Sequence, residues 1–143
     1  MPEDSDPGQS VYFKAEFGSM LTAELGFDYV RGTVEDTGEF LPRMPPFRSR
    51  FGLRYQRNAF QAGGDVTAVL RQDRVSGLET PTDGYGLLKL FASYSVQSGT
   101  VLHTVTGRVD NVTDELYRNH LSLIKDLTPE MGRNVKLLYS VKF

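Results

Sequence analysis

The stretch YGLLKLFASYSVQSGTVLHTVTGRVD, residues 85–110, decides the fold class of this chain. On both sides of a break at residues 97–100, apolar and polar residues alternate. The first segment places Leu88, Leu90, Ala92, Tyr94 and Val96 on one side, and the second does the same with Val101, Val105 and Val109. A period of two is typical of a half-buried strand, and two such runs joined by a tight break predict a β-hairpin.

The same alternation recurs in five further segments, four before this hairpin and one after it. Their apolar sides carry Val11, Phe13, Ala15 and Phe17; Leu21, Ala23, Leu25, Phe27 and Tyr29; Phe47, Phe51, Leu53 and Tyr55; Phe60, Ala62, Val66, Ala68 and Leu70; and Val135, Leu137, Tyr139, Val141 and Phe143. The sequence therefore predicts an all-β fold, an antiparallel up-and-down meander of about seven long strands over residues 11–143.

The connections between these segments alternate in length. Tight breaks fall near Gly18, near Arg57 and Asn58, and at residues 97–100, whereas long polar connections cover residues 33–45, 74–83 and 111–131. Short turns at one rim and long loops at the other are typical of transmembrane barrels, with the short turns on the periplasmic side. This pattern places the C-terminus on the periplasmic side.

Composition excludes several classes of protein. The 143 residues include no Cys, carry a net charge of −2 and contain no apolar run of the roughly 18 residues that a membrane helix needs. Disulfides and Cys-based metal sites are therefore excluded. Lys and Arg are scattered and form no basic track, so nucleic acid is not expected as a partner.

The polar side of the strands carries many charges, among them Arg50, Arg54, Asp65, Lys89 and Arg108. Such a face suits a wide, wet barrel interior and favours lipid on the apolar side, although alternation alone also fits a soluble barrel whose apolar face points inward. An odd number of strands leaves two open edges, so we expect a segment of a larger sheet.

Residues 1–10 are polar and acidic and lack the apolar region of a secretion signal. For an outer-membrane protein, this predicts a missing upstream part, and we interpret residues 1–10 as a polar segment or partial loop. The alternative is a small autonomous outer-membrane or soluble ligand-binding barrel with an eighth strand in residues 1–10. Pro2, Pro7 and three acidic residues disfavour that strand.

Three stretches resemble the end of the barrel in TonB-dependent outer-membrane receptors. They are LPRMPPFR (residues 41–48), ETPTDGYGLL (79–88) and RVDNVTDELYRNHLSLIKDLTPEMGRN (108–134), and the last of them leads into the terminal LLYSVKF. Together they cover about residues 20–143. The part YRNHLSLIKDLTPEMGRN is similar to members associated with uptake of zinc or other metals.

The resemblance implies a barrel of about 22 strands in the parent protein, closed by a plug and driven by TonB, that imports a siderophore, metal or similar nutrient. It implies outer-membrane lipid, the remaining barrel and plug, and the outer-membrane assembly machinery as partners, with TonB reached only through the plug. Neither a plug nor a TonB box is expected in this chain, so the fragment alone is expected to transport nothing.

Several residues are candidates for specific roles. His120, Asp126 and Glu130 share one polar loop and carry side chains that can ligate a metal. His103 falls on the apolar side, as an interfacial residue. Asn111 and Asp114 are turn formers, and one helical turn is predicted over residues 113–117.

The terminal aromatic strand resembles the signal read by the assembly machinery, with Tyr139, Val141 and Phe143 on one side. Ser122 and His120 are close in sequence within one loop, but the third member that a triad needs is not evident beside them. We therefore expect no catalytic residue and no cofactor.

Overall fold

The computed structural model describes residues 8–33, 37–77 and 79–143, and seven strands account for its regular structure. They are β1 (Gln9–Phe17), β2 (Leu21–Tyr29), β3 (Arg48–Arg57), β4 (Phe60–Val69), β5 (Tyr85–Ser98), β6 (Val101–Asp110) and β7 (Asn134–Lys142). Strand β1 begins at Gln9, two residues before the predicted start. Among the described residues, no helix has the length and apolar character to cross a membrane.

All seven strands form one antiparallel sheet in the order β1-β2-β3-β4-β5-β6-β7, which confirms the predicted meander. In this sheet β1 and β7 are the edge strands and each pairs on one side only. The registers are continuous, as in the β3–β4 pair, where Arg48 faces Val69 and Arg57 faces Phe60.

The registers sort the side chains into two faces. The apolar face includes Phe13, Leu25, Phe51, Val66, Leu90, Val105 and Leu137, which occupy one side of successive strands. The charged face includes Lys14, Glu24, Arg50, Asp65, Lys89, Arg108 and Lys136. Along the seven described strands, the only Lys, Arg, Asp or Glu on the apolar face is Arg57, at the end of β3.

The three hairpins turn tightly at one end of the sheet, called here the turn end. Asn58 and Gly99 have φ angles of 52° and 62°, and Gly18 has a φ angle of 64°. Gly and Asn tolerate this left-handed conformation better than other residues. The turns thus lie at the three predicted breaks.

The sheet has no apolar core of its own. Among the described hydrophobic residues only Met44 and Val69 are buried, whereas Leu137 on the apolar face is 80% exposed. A contiguous exposed apolar surface marks a region that contacts a membrane or another protein. The apolar face therefore needs a covering outside this chain.

Candidate functional site

The end opposite the tight turns is formed by three loops, residues 30–47, 70–84 and 111–133, called here loops 1, 2 and 3. They lie where the long connections were predicted. Short bridges stiffen two of them, between Thr33 and Phe40 in loop 1 and between Gln72 and Thr82 in loop 2. Most of the described buried residues belong to these loops.

A buried polar group joins the three loops. This loop cluster consists of Gln72, Glu79, Thr82, His120 and Lys125. Gln72 is 1% exposed, and its Nε2 donates to the Met44 carbonyl of loop 1 at 2.8 Å. Polar side chains leave water at a cost unless partners replace it, so these contacts fix the positions of the loops.

Lys125 is the central cation of the loop cluster. Its Nζ donates to the Thr80 carbonyl at 2.9 Å and lies 3.3 Å from Glu79 Oε1. The side chains of Lys125 and Glu79 are 7% and 12% exposed. An ion pair at this depth loses much of its hydration, and removing one partner leaves the other charge poorly compensated.

The contacts of His120 define its tautomer. Its Nδ1 lies 2.9 Å from Thr82 Oγ1 and 3.4 Å from Lys125 Nζ. Because an ammonium only donates, Nδ1 accepts and the proton of the neutral ring lies on Nε2. Nε2 is 3.2 Å from Glu79 Oε1 but lacks the angle of a hydrogen bond. Burial, and then the charge of Lys125, lower the His120 pKa against the opposing effect of Glu79.

Glu79 is held ionised in the loop cluster. Burial acts to raise its pKa, but hydrogen bonds from the Arg43 backbone N–H and from Lys125 outweigh that effect, so the pKa is lowered. The Arg43 N–H donates to Oε2 at 3.1 Å, which ties loop 1 to loop 2.

The three predicted metal ligands each make different contacts. His120 is in the loop cluster, Asp126 Oδ1 accepts from Thr80 Oγ1 at 2.6 Å, and the Glu130 N–H donates to the Tyr117 carbonyl at 2.9 Å. Over residues 8–33, 37–77 and 79–143, no group of three or more His, Cys, Asp or Glu could hold a metal ion. The described arrangement therefore does not bring the three together as a site.

The start of loop 3 differs from the prediction in one respect. The predicted helical turn over residues 113–117 was wrong, because the chain turns at residues 112–113 and residues 114–117 form neither helix nor strand. Asn111, at a φ angle of 51°, exchanges two hydrogen bonds with the Glu115 backbone. These bonds replace the helical ones, while Asn111 and Asp114 are turn formers as predicted.

The candidate assembly residues lie at the turn end of β7. Tyr139 and Val141 share the apolar face with Val105 and His103, and Phe143 is 94% exposed. The Tyr139 hydroxyl lies 2.7 Å from His103 Nδ1, and the two rings stack. His103 thus pairs with a tyrosine at the rim of the apolar face.

Ion pairs lie along the charged face, most of them between neighbouring strands. Asp28 contacts Arg48 at 2.9 Å and Arg50 at 3.4 Å, and Asp110 contacts Arg108 at 2.7 Å and Lys136 at 3.0 Å. Two carboxylates are thus each shared between two cations. This face stays open to solvent, in contrast to the loop cluster.

The arrangement of an uncovered apolar face, a charged face and one end of long loops matches a known family. Residues 8–112 match the family described as TonB dependent receptor-like, beta-barrel. The chain belongs to this family. TonB-dependent receptors are outer-membrane proteins, and membrane lipid is an environment in which an exposed apolar face is stable.

The chain is also similar in sequence to two individual receptors. The chain is 28% identical over 127 residues to a hemin receptor of Yersinia pestis, covering 87% of this chain and 18% of that protein. It is 28% identical over 121 residues to a hemin receptor of Yersinia enterocolitica, covering 83% and 17%. The chain thus spans about one fifth of the length of these relatives.

A solved structure shows the same fold. The copper transporter OprC matches with a TM-score of 0.80 and 23% identity over 94% of this chain and 22% of its own. The seven-stranded meander is therefore a segment of a barrel of this type. The relatives are named as receptors and a transporter, not as enzymes.

The sequence analysis gave no role to most members of the loop cluster. Glu79 belongs to a stretch quoted for the resemblance but was given no role, and Gln72 and Lys125 were not singled out. Their partners are 28 and 46 positions away along the chain. Nothing in the local pattern of a polar loop indicates such pairings.

Proposed function

We propose that this chain forms a C-terminal part of the barrel wall, with three extracellular loops, of a TonB-dependent receptor that imports a siderophore, hemin or another metal chelate. The observation that carries the proposal is the two-faced sheet. Along the described strands, its apolar face has one charged residue, at a strand end, whereas its other face bears several ion pairs. This is the distribution needed between lipid on one side and a polar barrel interior on the other.

The orientation follows from the unequal ends of the sheet. Short turns face the periplasm in barrels of this class, so the turn end and Phe143 are periplasmic and loops 1 to 3 face the outside. Tyr55, Phe60, Tyr94 and Tyr139 then lie at the inner interface, where aromatic side chains are favoured.

The fragment supplies structure and not transport by itself. The names of the Yersinia relatives and of OprC support a cargo that carries or contains a metal. The two edge strands pair with the remaining barrel, and a plug elsewhere in the parent connects to TonB.

Cysteine labelling tests this proposal, because the chain contains no native cysteine. Leu127→Cys places a thiol in loop 3, where the native side chain is 83% exposed, and Ser98→Cys places one at the turn end. The two variants are made in the receptor that carries this chain. A membrane-impermeant maleimide is then added to intact cells.

We expect labelling at position 127 in intact cells, and at position 98 only after the outer membrane is permeabilised. Equal labelling of both before permeabilisation would overturn the orientation. Recovery of the protein in the soluble fraction would overturn the membrane role and favour the autonomous soluble barrel. Uptake of radiolabelled iron from hemin, with and without deletion of residues 121–128, measures the transport role separately.

Two residue-level predictions accompany this function. Tyr139, Val141 and Phe143 are proposed to form the assembly signal, so Phe143→Ala is expected to lower the amount of receptor in outer membranes, measured against Lys142→Ala. Metal binding by His120, Asp126 and Glu130 stays a prediction. It requires His120 to leave the loop cluster, and equilibrium dialysis with zinc tests it.

A further inference from the structure

Three aromatic side chains gather on the apolar face at the loop end, the end of the sheet opposite the turn end. The ring centroids of Phe27 and Phe47 are 6.2 Å apart, and those of Tyr29 and Phe47 are 6.5 Å apart. Leu70, 58% exposed, extends this patch, and its N–H donates to the Phe47 carbonyl at 3.0 Å. Aromatic girdles mark the interfaces of membrane barrels, so the patch marks one boundary of the lipid layer.

Arg74 of loop 2 is held against this aromatic patch. Its guanidinium carbon lies 5.5 Å from the centroid of the Tyr29 ring, and its Nη1 donates to the Tyr29 hydroxyl at 3.0 Å. The two residues are 45 positions apart, so loop 2 folds back over the end of β2. An arginine stacked on an aromatic ring is oriented before it meets a ligand.

Most of the hydrogen-bonding capacity of this guanidinium is unused. Arg has five N–H donors, and the bond to Tyr29 takes one of them. The ion pairs between described residues lie on the charged face and in the loop cluster, and none includes Arg74. Arg31, two residues beyond Tyr29, is a second cation near the same hydroxyl. The aromatic patch is thus bordered by two arginines.

The length of β2 places these arginines at the depth of lipid headgroups. The strand has nine residues and ends at Tyr29. A tilted strand of about 9–11 residues crosses a membrane, so Tyr29 lies at the boundary of the hydrocarbon layer. Arg31 and Arg74 follow at the level where a charged group leaves the lipid while its apolar stem stays against it. In the proposed orientation, these headgroups belong to the outer leaflet.

We propose that Arg74 and Arg31 bind the headgroup phosphates of a phosphorylated glycolipid in the outer leaflet, with its acyl chains against Phe27, Phe47 and Leu70. Free phosphate would contact the guanidinium groups and leave the apolar patch uncovered. A neutral lipid would cover the patch and leave the cations without an anion. A phosphorylated lipid satisfies both, since guanidinium binds phosphate in a bidentate manner.

This site lies on the outside of the barrel wall, where the plug does not reach. The proposal rests on the proposed function, because it takes the apolar face as lipid-facing and the loop end as extracellular. It adds a specific lipid contact to the general contact of the apolar face with lipid. Anionic lipids are recognised by basic residues at the membrane surface in this way.

Native mass spectrometry of the purified receptor that contains this chain tests the proposal. The two probes are bisphosphorylated lipid A and the same lipid A after enzymatic removal of both phosphates. EDTA is present, so that divalent cations do not bridge lipid and protein. Arg74→Gln is compared with Arg71→Gln, because alternation places Arg71 on the opposite, charged side. Heat-dependent migration on gels checks that each variant is a folded barrel.

We expect the receptor to retain bisphosphorylated lipid A and to bind the phosphate-free form more weakly. Arg74→Gln is expected to raise the dissociation constant of the bisphosphorylated form about tenfold, or about 1.4 kcal/mol, because a charge-assisted bond to phosphate is lost. Adding Arg31→Gln to Arg74→Gln should raise it further. Arg71→Gln should leave it unchanged.

Three results would overturn the proposal. They are equal affinity for the two forms of lipid A, unchanged affinity in the variant that lacks both Arg31 and Arg74, and equal losses in Arg71→Gln and Arg74→Gln. The second would show that another part of the receptor, and not lipid, meets these arginines. Maleimide labelling at position 127 tests the orientation independently, so the two proposals can fail separately.

Discussion

The loop cluster and the sheet below it are stabilised in opposite ways. In the loop cluster, polar side chains are buried and each contact is specific, as in the ion pair of Lys125 with Glu79 and the bond of Gln72 to Met44. In the sheet, backbone pairing is continuous, while apolar side chains such as Leu137 remain exposed. The loops are therefore stabilised from within the chain, and the sheet depends on its surroundings.

The largest effect is expected for a charge on the apolar face. Leu137 and Leu138 are neighbours in β7 but point to opposite faces, since they pair with Gly107 and Thr106. Leu137→Arg should destabilise the inserted barrel by about 2–4 kcal/mol, whereas Leu138→Arg should cost about 1 kcal/mol or less. Urea unfolding in liposomes measures both, and equal losses would contradict the assignment of the faces.

The loop cluster should be sensitive to loss of its cation. Lys125→Met leaves Glu79 without its ammonium partner and is expected to cost about 2 kcal/mol locally, which corresponds to roughly thirtyfold faster hydrogen exchange in residues 119–128. Lys142→Met at the turn end is the control. Unchanged exchange in Lys125→Met would mean that the ion pair does not hold the loops.

The cost of replacing a strand glycine by alanine should depend on the space available for the new Cβ. Gly63→Ala is expected to cost about 1–3 kcal/mol, because its Cβ would meet the Leu53 carbonyl oxygen at 2.5 Å. Gly86→Ala, in β5, meets nothing within 4 Å and should be close to neutral. Thermal unfolding of the receptor compares the two variants, and an equal loss in both would contradict this packing.

The turn end should show a smaller, backbone effect. Gly99 has a φ angle of 62°, so Gly99→Ala is expected to cost about 1 kcal/mol although nothing lies near its Cβ. A Cβ at Gly77, in loop 2, would also meet nothing within 4 Å, and Gly77 does not have a positive φ angle. Gly77→Ala should therefore cost less. Refolding yield into lipid vesicles distinguishes the two, and Gly77→Ala is the matched control.

The smallest effect is expected for pH, which should change the stability of the loop cluster. The pKa of His120 is lowered in the folded protein, so the unfolded loop binds more protons as the pH falls through the ordinary value of about 6.5. Stability is therefore fully present above that pH and declines in acid. The lowered pKa of Glu79 acts in the same direction at lower pH.

Hydrogen exchange of residues 119–128, corrected for its intrinsic pH dependence, measures this decline between pH 7.5 and 5.5. His120→Asn should remove most of it. A protection that increased on acidification would contradict the neutral state assigned to His120.

Much of the sheet could be predicted from the sequence, because one local rule governs it. Alternation assigned residues such as Leu90 and Lys89 to opposite faces, and glycine and asparagine marked the three turns. The loop cluster could not be predicted in this way. Gln72 and Lys125 have polar side chains in polar loops, and their burial depends on partners far along the chain. The prediction that His120 ligates a metal was based on the chemistry of its side chain alone. In the structure, Nδ1 of His120 instead contacts Thr82 and Lys125.

The bond from Gln72 to Met44 and the contacts of Lys125 with loop 2 also limit how such barrels can be recombined. Each hairpin is a separable unit at the turn end, but the loops that follow β2, β4 and β6 share buried partners. A chimera that exchanged only one hairpin would separate Lys125 from Glu79 or Gln72 from Met44. Crossover points that move loops 1, 2 and 3 together preserve every one of these contacts, so the natural unit of exchange in this wall is the whole group of strands.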